Sequence, residues 1–152
     1  MSAAADTFRS VFDEAFDRCV TTALRAGEWQ EEAFDAVTVA MAEVASGIRA
    51  GEPEPWSTVE QRSAELSVEA GATRPSSTFL KEHLPRHSDD VRRAAGALAD
   101  ALEDLDLDPG DTFTTPDWAG PLRDDLREAI AAAAIGDGPS AVKGRRWWSR
   151  RG

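Results

Sequence analysis

Residues 7–25 read TFRSVFDEAFDRCVTTALR, and their spacing decides the class of fold. Phe8, Val11, Phe12, Ala15, Phe16, Cys19, Val20, Ala23 and Leu24 form an unbroken i, i+3, i+4 series, with Asp13, Glu14, Asp17, Arg18 and Thr21 on the other side. That period winds the apolar residues onto one stripe of an α-helix, which must be buried against other elements. Cys19 lies on this stripe and reads as a small buried hydrophobe rather than a nucleophile. As the only cysteine it also excludes an internal disulfide and any zinc site built on paired thiolates.

Working outward, Gly27 can stop this helix, and Glu28, Glu31 and Glu32 suit the positive end of a second one. The second helix places Trp29, Ala33, Phe34, Val37, Ala40, Met41, Val44 and Ile48 on its buried side and ends at Arg49 and Gly51. So short a link predicts an antiparallel hairpin. Pro53 and Pro55 then break the chain, and Ser57 with Glu60 reads as a capping box for a third helix reaching about Ala70. Its apolar face, mainly Val59, Leu66 and Ala70, is thin, which predicts a place at the bundle's edge or against a second copy. A short helix or turn follows over residues 77–84. Ser88 caps a long helix carrying Val91, Ala94, Ala95, Leu98, Leu102 and Leu105, with Asp89 and Asp90 in its first turn. Asp108, Pro109, Gly110 and Asp111 mark a turn, and the stretch to Thr115 reads as a loop with an exposed extended segment. A last helix starts at Pro116 or Pro121, turns Leu122, Leu126, Ala129, Ile130 and Ala133 inward, and stops at Gly136. Trp56 and Trp118 stand near Pro55 and Pro116, where they cover the ends of the bundle. The expectation is an all-α bundle of four main helices plus one or two short ones, with no strand-like alternation and no internal repeat.

At 152 residues the chain has the length of one domain that can bury a core without disulfides or a structural metal. Its 41% hydrophobic and 30% charged residues are the mix of a globular protein. Charged residues interrupt every apolar run, so none approaches the roughly 20 residues that span a bilayer. Met1 to Asp6 shows no basic segment followed by an apolar core, which predicts no secretory leader and a cytoplasmic location.

Charge divides the chain more sharply than hydropathy does. Beyond Asp137 there is no acid, while Lys143, Arg145, Arg146, Arg150 and Arg151 follow; the formal charge of -11 splits into +5 on this end and -16 before it. Residues 1–135 are therefore assigned to the helical domain and 136–152 to a linker and basic tail of flexible composition. Trp147 and Trp148 are neighbours inside that tail and cannot share one narrow helical face, and burying both would drag cations along. Tryptophan and arginine concentrate in binding hot spots, so Arg145, Arg146, Trp147, Trp148, Arg150 and Arg151 are the candidate partner-binding residues. The composition of this short segment resembles that of Trp/Arg-rich membrane-active peptides, which implies contact with an anionic surface.

Motifs that carry chemistry are sparse. His83 and His87 have the spacing of two metal ligands on one helix, near Asp89 and Asp90, but Pro85 between them breaks the helix and favours two exposed histidines at a junction. No Glu-x-x-His pair, Gly-x-Ser-x-Gly elbow or Walker A sequence occurs, and Gly136 and Gly138 belong to the linker. The acids Glu103, Asp104, Asp106, Asp108 and Asp111 lack the ligand spacing of a calcium loop and read as a solvated helix end. Residues 64–84 resemble a helix-turn-helix through Leu66, Ala70, Gly71, Thr73 and Leu80, which implies DNA contact. Ser77 and Pro75 depart from that motif, and only Arg62, Arg74, Lys81 and Arg86 stand near to meet phosphates.

These readings favour a non-catalytic adaptor, chaperone-like or regulatory protein without a catalytic residue, bound metal, cofactor or small-molecule ligand. The expected partner is a protein, with a homodimer, nucleic acid or an anionic membrane surface as further possibilities, the last two through the tail. The alternatives are a nucleic-acid regulator using residues 64–84 or the tail, and a small helical enzyme or metal-binding protein using His83, His87 and the acids beside them.

Overall fold

The computed structural model describes residues 3–27, 29–72, 76–84 and 88–136. Six α-helices follow one another: α1 (Ala3–Ala26), α2 (Gln30–Arg49), α3 (Val59–Ala72), α4 (Ser76–His83), α5 (Asp89–Leu102) and α6 (Gly120–Ile130). No strand occurs among the described residues, and the architecture is an all-α helical bundle. None of these helices is long and apolar enough to cross a membrane. The candidate residues Arg145, Arg146, Trp147, Trp148, Arg150 and Arg151 lie outside the described residues.

The apolar stripe of α1 is buried as its spacing requires: Phe8, Phe12, Phe16, Cys19 and Val20 are all at most 1% exposed. The helix begins earlier than its apolar pattern, because the alanines at 3–5 favour helix without needing a stripe, and the Thr7 hydroxyl donates back to Ala3 O. An extended Trp29 then turns the chain into α2. Trp29 is 58% exposed, against its expected place on the buried side; it caps the helix from outside the first turn and so escapes the helical period. Every residue from Glu32 to Ala42 is buried, so α2 is enclosed on several sides by α1, α3, α4 and α5 rather than along one stripe. Its side chains there are mostly Ala, Val and Thr, small enough to admit neighbours all round.

Helix α3 departs most from expectation. It packs against both α1 and α2 inside the same chain, so a thin apolar face no longer argues for a place at the edge or for a second copy. Small residues make this possible: Ser63 and Ser67 are fully buried, with their hydroxyls donating to Val59 O at 2.8 Å and Ala23 O at 3.0 Å. Each buried hydroxyl has an acceptor, so its hydrogen bond offsets the cost of taking it out of water. The capping box does not form. Ser57 Oγ donates to Glu54 O at 3.0 Å in the preceding turn, and Glu60 instead receives Arg18 and Thr22 of α1.

Ser88 stands at the cap of α5 but makes no side-chain cap hydrogen bond. After Leu102 the chain tightens into a 3₁₀ turn, Glu103–Leu105, ending at left-handed Asp106 (φ 51°). The tighter winding rotates Leu105 outward to 37% exposure, where a continued α-helix would have turned it inward. Residues 106–116 then run along α1 as a strap instead of an exposed segment. Phe113 is buried with its ring edge-on to Phe16 (6.4 Å) and Phe34 (5.5 Å), and Thr115 is buried beside it. Pro116 leads through a second 3₁₀ turn into α6, which carries Pro121 in its first turn and continues as a π-helical turn, Ala131–Ile135. Gly136, at φ 85°, ends it in the left-handed region that glycine adopts without strain.

Candidate functional site

Charged residues on the polar sides of α1 and α6 face each other where those helices meet. Arg9 forks onto Glu128 at 3.0 and 3.1 Å, Arg127 Nη1 reaches Asp13 at 3.2 Å, and Arg123 Nη1 reaches both oxygens of Asp17 at 3.2 Å. Asp17 also accepts the Thr115 hydroxyl at 2.6 Å and its backbone N–H at 3.2 Å, and Thr21 Oγ1 accepts the Phe113 N–H at 2.9 Å. Burial alone would raise the Glu128 carboxyl, but hydrogen bonds from Arg9 and Arg127 outweigh it and hold the group below its ordinary 4.5. Each acid receives an arginine, and Asp17 receives Thr115 of the strap as well, so the pairs join α6 and the strap to α1.

A second set of ion pairs joins the other helices: Arg62 forks onto Glu43 of α2, and Arg18 reaches Glu60 of α3. Gln30 fastens the far end, donating to Leu102 O at 2.7 Å and accepting from Leu107 N at 2.8 Å. Arg92 and Arg93 pair with Asp89 and Asp90 one turn earlier in α5. Of the described arginines, seven are thus engaged in ion pairs within the body.

The groups singled out from sequence are scattered. His83 stacks on Phe79 with ring centroids 4.4 Å apart and places Nε2 on Glu69 Oε2, while its Nδ1 is buried without a hydrogen-bond partner. His87 lies outside the described residues, and among the described residues no three His, Cys, Asp or Glu side chains gather as a metal site. Cys19 is fully buried and burial pushes its thiol up to about 11, with a hydrogen bond between it and Ser63 acting the other way. Trp56 is half-buried, stacked on Phe8 at 5.8 Å, whereas Trp118 is 59% exposed. In the segment resembling a helix-turn-helix, Leu66, Ala70 and Leu80 are buried, Arg62 is committed to Glu43, and Lys81 and Glu82 are exposed. Arg74 and Arg86 are outside the described residues.

Two features were not anticipated. Asp35, in the first third of α2, is only 8% exposed; burial pushes its carboxyl up to about 7, helped by the negative charges of Glu31 and Glu32. Near the other end of the same helix a cleft of about 250 Å³ is lined by Ala42, Glu43, Ser46, Gly47, Glu52 and His83. That volume is below the ~300–1,000 Å³ of pockets for drug-sized ligands and suits a single side chain. Compared with known proteins, the chain matches no family model, no curated protein and no solved structure.

Proposed function

We propose that this chain is a non-catalytic interaction protein in which the helical body is a scaffold and the segment holding Arg145, Arg146, Trp147, Trp148, Arg150 and Arg151 docks on a protein partner. The observation that supports this reading is the distribution of cations. In the described body most arginines are spent on joining helices, while the tail gathers five cations and two tryptophans with no acid among them. A segment of that kind offers large contact area and several donors at once, the profile of a binding hot spot. The acidic body repels phosphate backbones and anionic lipid, which favours a protein surface as the docking site.

The test compares the full chain with one ending after Gly138. The shortened chain keeps the helical circular dichroism and melting temperature, but loses partner capture in a pull-down, and a free peptide of residues 143–151 competes with capture by the full chain. Capture by the shortened chain would overturn the docking role. Binding that falls steeply with added salt and follows nucleic acid in the pull-down would move the reading to a nucleic-acid regulator, through counterion release.

A further inference from the structure

Two large apolar side chains stand in solvent where α1 gives way to α2. Trp29 is 58% exposed because it precedes the first turn of α2 in an extended conformation, with no side-chain hydrogen bond at the cap. Leu105 is 37% exposed because the 3₁₀ turn after α5 winds it outward. Apolar side chains scattered singly over a surface need no explanation, but these two are not scattered. Gln30, the residue after Trp29, donates to Leu102 O at 2.7 Å and accepts from Leu107 N at 2.8 Å. One side chain thus ties the start of α2 to both ends of the turn that carries Leu105. Trp29, Leu105 and the partly buried Leu107 emerge together at this end of the bundle, on backbone that the Gln30 clamp holds in place. Apolar groups fixed in advance lose little further freedom when a partner covers them.

Charge decides what that partner is. Glu103, Asp104 and Asp106 flank Leu105, Asp108 follows Leu107, and all four acids are exposed. They gather at the carbonyl end of α5, where the helix dipole already favours cations over anions. The arginines of α5 do not neutralise them, since Arg92 and Arg93 pair with Asp89 and Asp90 at its other end. Against the four acids stands Arg25, exposed in the last turn of α1. A second copy docking by the same end would bring like charges together, and nucleic acid or anionic lipid would be repelled in the same way. A segment carrying lysine or arginine beside an apolar anchor matches both features. Its apolar groups cover Leu105 and Leu107, and its cations meet the carboxylates and the exposed face of the Trp29 ring.

We infer that the end of the bundle around Trp29, Leu105 and Leu107 docks a cationic amphipathic segment of another protein. The inference goes beyond the docking role of residues 145–151, because it assigns a second surface, on the body, and its test reads residues of the body itself.

The probe is a synthetic amphipathic peptide of leucine and lysine, titrated into the isotope-labelled full chain. Amide signals of Gln30, Leu105 and Leu107 and the indole N–H of Trp29 shift on titration, while those of Glu43 and Glu65, acids paired with Arg62, stay in place. Trp29→Ala lowers the affinity about tenfold or more, the effect of losing a hot-spot anchor. Leu105→Ser, at the second exposed position, lowers it too, and Glu103→Gln/Asp104→Asn lowers it and flattens its dependence on salt. Trp118→Ala is the control. Trp118 is 59% exposed, but Thr115 and Arg123 on either side of it in the chain are held at Asp17, roughly two turns before the end of α1, so the affinity stays unchanged. Absence of binding, an affinity untouched by Trp29→Ala and Leu105→Ser, or an equal loss in Trp118→Ala would overturn the inference. So would equally tight binding of a counterpart peptide with glutamate in place of lysine, which would leave the acids without a part in choosing the partner.

Discussion

At the scale of single residues, two atoms of van der Waals space decide how closely α1 and α3 approach. A Cβ on Gly27 would come within 2.4 Å of Ser67 Oγ, the atom that donates to Ala23 O. Gly27→Ala therefore forces the hydroxyl off its acceptor inside a fully buried contact, combining overpacking with an unsatisfied polar group. The expected loss is about 1–3 kcal/mol, read as a lower urea midpoint. Ser67→Ala in the same chain removes the clashing oxygen and leaves Cβ atoms at an ordinary 3.5 Å. The double variant should regain part of the loss; a double variant less stable than Gly27→Ala alone would show that the contact is not what limits the approach.

At the scale of elements, the strap of residues 106–116 depends on α1 for its backbone partners. Thr21→Val removes the acceptor of a buried N–H at Phe113, and Asp17→Ala removes three partners at once: the Thr115 hydroxyl, its N–H and Arg123. Leaving a buried donor unpaired costs about 1–3 kcal/mol, and Asp17→Ala orphans two donors of Thr115 while leaving Arg123 with only Asp13 at 3.5 Å. Asp17→Ala should thus destabilise more than Thr21→Val, and amide exchange at Phe113 and Thr115 should quicken in both before the rest of the chain responds. The elements themselves were largely legible, because α1, α2, α5 and α6 carry apolar residues at helical spacing and are bounded by Gly, Pro or acids. What periodicity hid was packing by small polar residues. Val59, Ser63, Leu66, Ser67 and Ala70 form the buried face of α3, yet a hydropathy stripe sees only Val59, Leu66 and Ala70. The strap was hidden for a related reason: Phe113 looks like one apolar residue in a loop until Phe16 and Phe34 are brought to either side of it. The cleft depends on the approach of α4 to α2 and on the fold-back of Glu52, neither of which leaves a local pattern. Only the acidity of its rim was there to be read.

At the scale of the whole molecule, the direction of two shifted carboxyls sets how stability depends on pH. Glu128 is held below 4.5 in the folded chain, so its contribution is present above the unfolded value and is lost as pH falls through the folded one. Asp35 behaves oppositely. Its carboxyl rises from 3.8 to about 7 on folding, so between these values the unfolded chain is ionised while the folded chain still holds the proton. Stability then declines as pH rises across that window and is flat above it, with a total loss of at most about 4 kcal/mol and less where the site relaxes. The rise from Glu128 ends by 4.5 and the decline from Asp35 starts near 3.8, so together the two effects place maximal stability at roughly pH 4, where the windows overlap. The net charge of -11 adds self-repulsion of the same sign on the alkaline side, which must be separated from the buried acid. Asp35→Asn and the exposed Asp100→Asn remove the same formal charge, so their urea midpoints at pH 5 and pH 8 divide the two causes. If burial of Asp35 governs the decline, Asp35→Asn raises stability at pH 8 and levels the two midpoints, whereas Asp100→Asn leaves the difference in place. Equal effects from both would assign the decline to net charge and leave the carboxyl at the heart of α2 without a role in it.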